Sequence, residues 1–122
     1  MKPPEQQPQE LFSIHNQAGN YVLTVARETE LDMNNAPTLE RTLNDKLHEN
    51  DFTSMVIDIT GVSFIDIYAL NTLARFHNNC YKRQRQSSIL ISEDQKNIAR
   101  AFKLAGLYQK LKVVELHSIK QR

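Results

Sequence analysis

The run MVIDI at residues 55–59 constrains the fold more than any other part of the chain. A nearly continuous apolar stretch of this length is the pattern of a central strand covered on both faces. The rest of the chain alternates strand and helix signals around it. Residues 12–15 form a weak first strand, and Gln17, Ala18, Gly19 and Asn20 supply turn chemistry. Residues 21–26 are a stronger strand with Tyr21, Leu23 and Val25 on one face, so the two strands are expected to form a hairpin.

Residues 28–35, ETELDMNN, read as a polar connection. Asn35 can cap a helix whose first turn accommodates Pro37. Leu39, Leu43 and Leu47 then recur every four residues as one apolar stripe. After the central strand, a helix is expected over 67–82, with Leu70, Leu73, Ala74, His77, Cys80 and Tyr81 on its inner face. Residues 88–91 form the next strand. Ser92 and Gln95 have capping-box spacing for a third helix. Its inward residues are Ile98, Ala101, Phe102 and Ala105, and Gly106 is a candidate C-terminal cap. A last strand occupies 112–116.

The order is therefore β-β-α-β-α-β-α-β, an α/β fold with a mixed β-sheet and packed helices. Successive strand–helix–strand units imply parallel strands with right-handed crossovers, while the opening hairpin adds an antiparallel pair. With 122 residues, there is enough chain for one domain and one core. Its expected extent is 11–116. The segment 1–10 is rich in proline and glutamine and reads as a disordered tail, and 117–122 as a fraying C-terminal tail.

Several function classes are disfavoured. The formal net charge is +1, so no global field argues for nucleic acid. The short basic run at 82–85 reads as a solvated helix end. A single cysteine, Cys80, precludes an intramolecular disulfide and fits a reducing compartment. There is no secretory signal pattern and no apolar run of the roughly 20 residues a membrane span needs, so a cytoplasmic protein is expected. The histidines at 15, 48, 77 and 117 are scattered without metal-ligand spacing. His77 and Cys80 read as core residues. The three glycines, at 19, 61 and 106, form no phosphate-cradling loop. Asp58 and Asp66 are the only acids at an expected strand end and helix start. The simpler reading is that Asp58 bonds a loop backbone and Asp66 caps the helix. Neither an enzyme nor a cofactor is expected.

The helix start after the central strand is the place for function. With Asp66 as cap, Ile67, Tyr68 and Ala69 are its first helical residues, where free N–H groups and the positive dipole end gather. Two bulky residues there call for an explanation.

The stretch SMVIDITGVSFIDIYALNTL (54–73) resembles the signature of the STAS domain, in which a strand like VVIDLS and a turn like xVxFID precede SSGL at a helix start. TELDMNNAPTLERTL (29–43) is similar to the family's GELDxxxAPxLxxxL, and IARAFKLAGLYQKLKVV (98–114) to its closing segment. The family comprises bacterial anti-sigma factor antagonists and cytoplasmic tails of sulfate transporters. In the antagonists, the second serine of DSSG is phosphorylated by a partner kinase that is also an anti-sigma factor, and phosphate blocks binding. The resemblance implies partner binding through the helix start and the loop around Asp32. The residues so implicated are Asp32, Met33, Asn34, Asp66, Ile67, Tyr68, Ala69, Asn71, Thr72 and Arg75.

Matched residue by residue, Tyr68 stands at the phosphoserine position, Ile67 at the serine before it and Ala69 at the glycine. A serine kinase finds no hydroxyl of its kind at 67 or 68, so the usual switch is absent. Three explanations stay open: a dry aromatic anchor for a partner, a tyrosine-kinase target, or residues folded inward to complete the core. The expected function is a non-enzymatic regulatory protein-binding module of the partner-switching type. Its expected partner is an anti-sigma factor or serine-kinase-like protein. The alternative is an accessory or transporter-associated STAS domain that scaffolds a membrane complex or senses a small ligand.

Overall fold

The structure, a computed structural model, describes residues 10–117. The expected tails at 1–10 and 117–122 lie outside these residues but for Glu10 and His117. Among the described residues the elements are β1 (Phe12–Gln17), β2 (Asn20–Val25), β3 (Glu30–Leu31), α1 (Ala36–Leu47), β4 (Ser54–Asp58), β5 (Phe64–Ile65), α2 (Ile67–Lys82), β6 (Gln86–Ser92), α3 (Lys96–Leu104) and β7 (Val113–Leu116).

The main sheet has the order β1-β2-β4-β6-β7, with β4 at its centre. The β1–β2 pair is antiparallel, and β2–β4, β4–β6 and β6–β7 are parallel. The expected mixed α/β fold is therefore the observed one. The hairpin turn places both Ala18 (φ 55°) and Gly19 (φ 87°) in the left-handed region, the geometry that matches the twist of tightly connected strands. Gly19 is required for a second reason. A Cβ on it would meet the Asp51 carbonyl oxygen at 2.2 Å.

Burial along the strands alternates with period two. Tyr21, Leu23 and Val25 on β2, Met55 and Ile57 on β4, and Ser87, Ile89 and Ile91 on β6 are buried. Val22, Thr24, Val56, Asp58, Ser88 and Leu90, on the opposite face, are only half-buried. The central strand, expected to be covered on both faces, is thus sealed on one and only half-covered on the other. The apolar run arises because Val56 fills a thinly covered face, not because that face is sealed.

A second, two-stranded sheet joins β3 and β5 in parallel, with Glu30 in register with Phe64 and Leu31 with Ile65. The segment expected to be a plain connection therefore contains a strand. Two residues are too short to show periodicity, and the pairing is between segments 34 residues apart in register. It matters for the site because it holds the 29–35 loop beside the start of α2.

In α1, Leu39, Leu43 and Leu47 are buried, as the spacing predicts, and Ala36 is buried with them. In α2 the buried arc includes Ala69, Thr72 and Phe76 along with Leu70, Leu73 and Cys80, whereas Tyr81 is exposed. The arc turns toward Thr72 and Phe76 because α2 packs against α1 as well as β6. Asn35 occupies the N-cap position of α1, but its side chain serves the preceding loop: Oδ1 accepts from the Asp32 amide at 3.0 Å and Nδ2 donates to the Glu30 carbonyl at 2.8 Å.

The third helix begins at Lys96, later than the capping-box reading places it. Gln95 Oε1 does reach back to the Ser92 amide at 2.7 Å, but Ser92 Oγ accepts from Asp94 instead of capping the helix. Gln95 Nε2 donates to the carbonyls of Ile59 and Val62, at 2.9 and 2.7 Å, and so ties α3 to the turn after β4. Ile98 and Phe102 are buried, Ala101 is half-buried and Ala105 is exposed. Gly106 (φ 73°) follows the cap residue in the left-handed conformation that ends many helices.

Candidate functional site

The start of α2 is built by one carboxylate. Asp66 has extended backbone geometry, and its Oδ1 accepts the Ala69 amide at 3.0 Å. Its other oxygen, Oδ2, accepts the Met33 amide at 3.0 Å. One side chain thus caps the helix and clamps it to the loop between β3 and α1. The clamp is reinforced by the backbone: the Asp66 amide donates to the Leu31 carbonyl at 2.9 Å. Within the loop, Asp32 Oδ1 accepts from the Asn34 amide at 2.9 Å, and the Asp32 carbonyl accepts from the Ala36 amide at 2.8 Å. Asp32 therefore orders the loop, and the Met33 and Asn34 side chains are left exposed.

On this frame stand Ile67, 55 % exposed, and Tyr68, 54 % exposed. Met33, at 59 %, faces solvent from the loop. Neither helix-start residue folds inward to complete the core, which removes the third of the explanations left open above. The underlying core position is taken by Ala69, which is fully buried beneath them. The amides of Ile67 and Tyr68 have no hydrogen-bond partner among the described residues, so a patch of free donors adjoins the exposed apolar side chains.

Beside Tyr68 runs a shallow notch of about 100 Å³ between α1 and α2, walled by Met33, Pro37, Glu40, Tyr68 and Arg75. Arg75 donates to both Glu40 oxygens, from Nε at 2.8 Å and Nη2 at 3.0 Å. This bidentate bond holds the Glu40 carboxyl below the usual carboxylate range and the guanidinium above its ordinary value. Arg75 is thereby fixed in place, 55 % exposed, at the edge of the notch. Glu40 was not among the sequence candidates. It lies 35 residues from Arg75 and carries no local signal.

Eight of the ten sequence candidates thus come together on one rim: Asp32, Met33, Asn34, Asp66, Ile67, Tyr68, Asn71 and Arg75. The other two lie beneath it. Ala69 and Thr72 are buried. Thr72 nevertheless lines the notch and accepts a hydrogen bond from Arg75 Nη2 at 3.3 Å.

Elsewhere the polar residues are structural. Asp58 Oδ1 accepts from the amide and hydroxyl of Thr60, at 2.9 and 2.7 Å. His77 Nδ1 and Ser87 Oγ are hydrogen-bonded at 2.9 Å between α2 and β6. Burial, and then the nearby Lys112 and Lys110, hold the His77 imidazole below its ordinary value. Burial pushes the Cys80 thiol up to about 11, which leaves it protonated and unreactive at neutral pH. Among the described residues no group of three His, Cys, Asp or Glu side chains could hold a metal ion, and no helix is long and apolar enough to cross a membrane.

Comparison with known proteins gives a consistent result. The family model of the STAS domain matches residues 13–118. No curated protein sequence matches the chain. Among solved structures, an anti-sigma factor antagonist from Mycobacterium paratuberculosis superposes with a TM-score of 0.69 at 21% identity, covering 86% of this chain and 85% of that one. The unphosphorylated anti-sigma factor antagonist SpoIIAA gives 0.71 at 12% identity, with 89% of each chain covered. A murine Solute Carrier 26 family anion transporter gives 0.63 at 21% identity over 83% of this chain but only 17% of its own length.

Proposed function

The chain belongs to the STAS domain family, and from that premise we propose that it is a non-enzymatic module of the anti-sigma factor antagonist type. It binds an anti-sigma factor or serine-kinase-like protein through the start of α2 and the adjoining loop. Asp32, Met33, Asn34, Asp66, Ile67, Tyr68, Asn71 and Arg75 form the contact rim. Ala69 and Thr72 support it from below.

The observation that carries this reading is the exposure of Ile67 and Tyr68 on a helix start that Asp66 holds rigid. Bulky apolar side chains left in water on a fixed frame gain free energy when a partner covers them. Aromatic side chains in such a place commonly dominate interface energetics. With tyrosine at the family's phosphoserine position, binding is constitutive with respect to serine phosphorylation. A cytoplasmic location is part of this reading.

The test is calorimetric titration of the full chain against the histidine-kinase-like anti-sigma factors of the same cell, with ATP present. The expected result is binding to one of them, no phosphate in the intact mass of the recovered protein, and weaker binding for Tyr68→Ala. If none binds, and Tyr68→Ser gains neither binding nor phosphate, the reading is wrong.

The match to part of an anion transporter supports one alternative, an accessory domain of a membrane complex. Co-purification with a membrane transporter, together with failure to bind any anti-sigma factor, decides for it.

A further inference from the structure

We propose that α3 and β5 form a second docking surface, which takes an acidic protein segment carrying one bulky apolar side chain. It is independent of the α2 rim. The helix KNIARAFKL has three cations and no carboxylate. With Ile98 and Phe102 facing the core, Lys96, Arg100 and Leu104 stack at i, i+4 and i+8 on the outer side. Leu104 is 82 % exposed, and Phe64 on β5 is 48 % exposed. Phe64, Asn97, Ile98, Arg100, Ala101 and Leu104 line a single open hollow of about 230 Å³.

The walls of the hollow are fixed. Asn97 Nδ2 donates to the Ser63 carbonyl at 3.0 Å, and Gln95 anchors the residues before α3 to the turn after β4. The charges are not internally compensated. Arg75 and Lys46 each have a carboxylate partner elsewhere on the molecule. Among the described residues, Lys96 and Arg100 have none. Lys103 lies 4.8 Å from the centre of the Tyr108 ring, on the flank of α3 away from the hollow. Glu30, exposed and in register with Phe64, sets one carboxylate on the strand beside it.

The surface therefore pairs a concave apolar floor with the uncompensated Arg100 on its wall and Lys96 one turn earlier on the same helix. Carboxylates on a partner would be steered to these cations and would disfavour wrong partners, while an apolar side chain seated between Phe64 and Leu104 would supply the dry centre. A concave hollow asks for a protruding side chain, which a flat lipid surface does not offer. One exposed leucine on a helix of nine residues is also far short of the apolar face that interfacial helices bury.

The experiment uses the isotope-labelled full chain and two synthetic amphipathic helical peptides with the same leucine stripe. One has glutamate at its polar positions and the other lysine. The expected result is that the glutamate peptide shifts the amide resonances of Phe64, Arg100 and Leu104, more weakly as salt is raised, while the lysine peptide does not. Arg100→Glu and Leu104→Asp should each weaken binding by about tenfold or more. Both sites are at the surface, and an unchanged amide spectrum elsewhere establishes that each variant is folded. The proposal is overturned if the glutamate peptide causes no shifts at millimolar concentration, or if the lysine peptide binds equally well. Shifts confined to the Tyr68 rim also overturn it without touching the function proposed above. So does co-sedimentation with phosphatidylserine vesicles, or self-association through Leu104, by a protein that ignores the peptide.

Discussion

Helices α2 and α3 both begin shortly after a strand, and both have a polar side chain at the N-cap position. At α2, Asp66 gives one oxygen to the helix and the other to the Met33 amide. At α3, the Gln95 side chain gives nothing to its own helix. It donates to the Ile59 and Val62 carbonyls and accepts from the Ser92 amide. The opening residues of the two helices differ too. The first two of α2 are exposed and apolar; those of α3, Lys96 and Asn97, are exposed and polar. The α3 start is anchored so that the fold closes over the central strand's turn. The α2 start is anchored so that a surface is displayed. A stabilising cap and exposed bulky side chains at the same helix start form the combination expected of a binding rim.

The comparison can be broken most sharply at Tyr68. Tyr68→Ala should weaken partner binding by ~2 kcal/mol or more while shifting stability by no more than about 0.5 kcal/mol. Titration and thermal unfolding of the same variant check both halves. A fall in the unfolding midpoint with unchanged affinity would make Tyr68 structural and erase the contrast.

Gln95 should behave in the opposite way. Gln95→Ala removes the donor to two carbonyls, at a cost of about 1–3 kcal/mol of stability, and should leave affinity for an α2-rim partner unchanged. Denaturant unfolding and the same titration separate the two effects. Asp66→Ala should fall between them. Loss of the cap costs about 1 kcal/mol, and release of the Met33 amide should loosen the loop and weaken binding as well. Amide hydrogen exchange at Met33 and Ala69 is the direct readout, and exchange as slow as in the unaltered protein would refute the clamp.

The smallest effect concerns the far half of α2. The folded-state pKa of His77 is held below its ordinary value of 6.5 by burial first and by Lys112 and Lys110 next. As pH falls through 6.5, the unfolded chain takes up a proton that the folded chain resists, so stability declines until the folded-state value is passed. In the opposite sense, His117 is raised by its bond to Glu93, so it favours the fold at low pH and loses that contribution as pH rises through its folded-state value. Unfolding midpoints measured from pH 8 downward should show a flatter slope near 6.5 for His77→Gln than for the unaltered chain. An identical slope would remove His77 from the account.

Much of the architecture was legible from one dimension. The strand–helix order, the Leu39–Leu43–Leu47 stripe, the Asp66 cap and the Gly106 stop all arise from contacts within a few residues, which periodicity and capping chemistry report directly. The pairing of β3 with β5 did not, since each strand has only two residues and the partner is distant in sequence. The Glu40–Arg75 pair was hidden for the same reason. The true inner face of α2 was misjudged at Tyr81 and missed at Phe76, because a helix packed on two neighbours buries an arc that its own pattern does not reveal.

The sequence by itself determined the family, the order of the main-sheet strands and the helices, and which residues open α2, since these are properties of local pattern and of a motif. Only the tertiary structure decided that Ile67 and Tyr68 point to water, that Ala69 and Thr72 lie beneath them, and that the Asp32 loop stands beside the same rim. Those facts depend on side chains competing for one core, and at this helix start the small residue won the place inside.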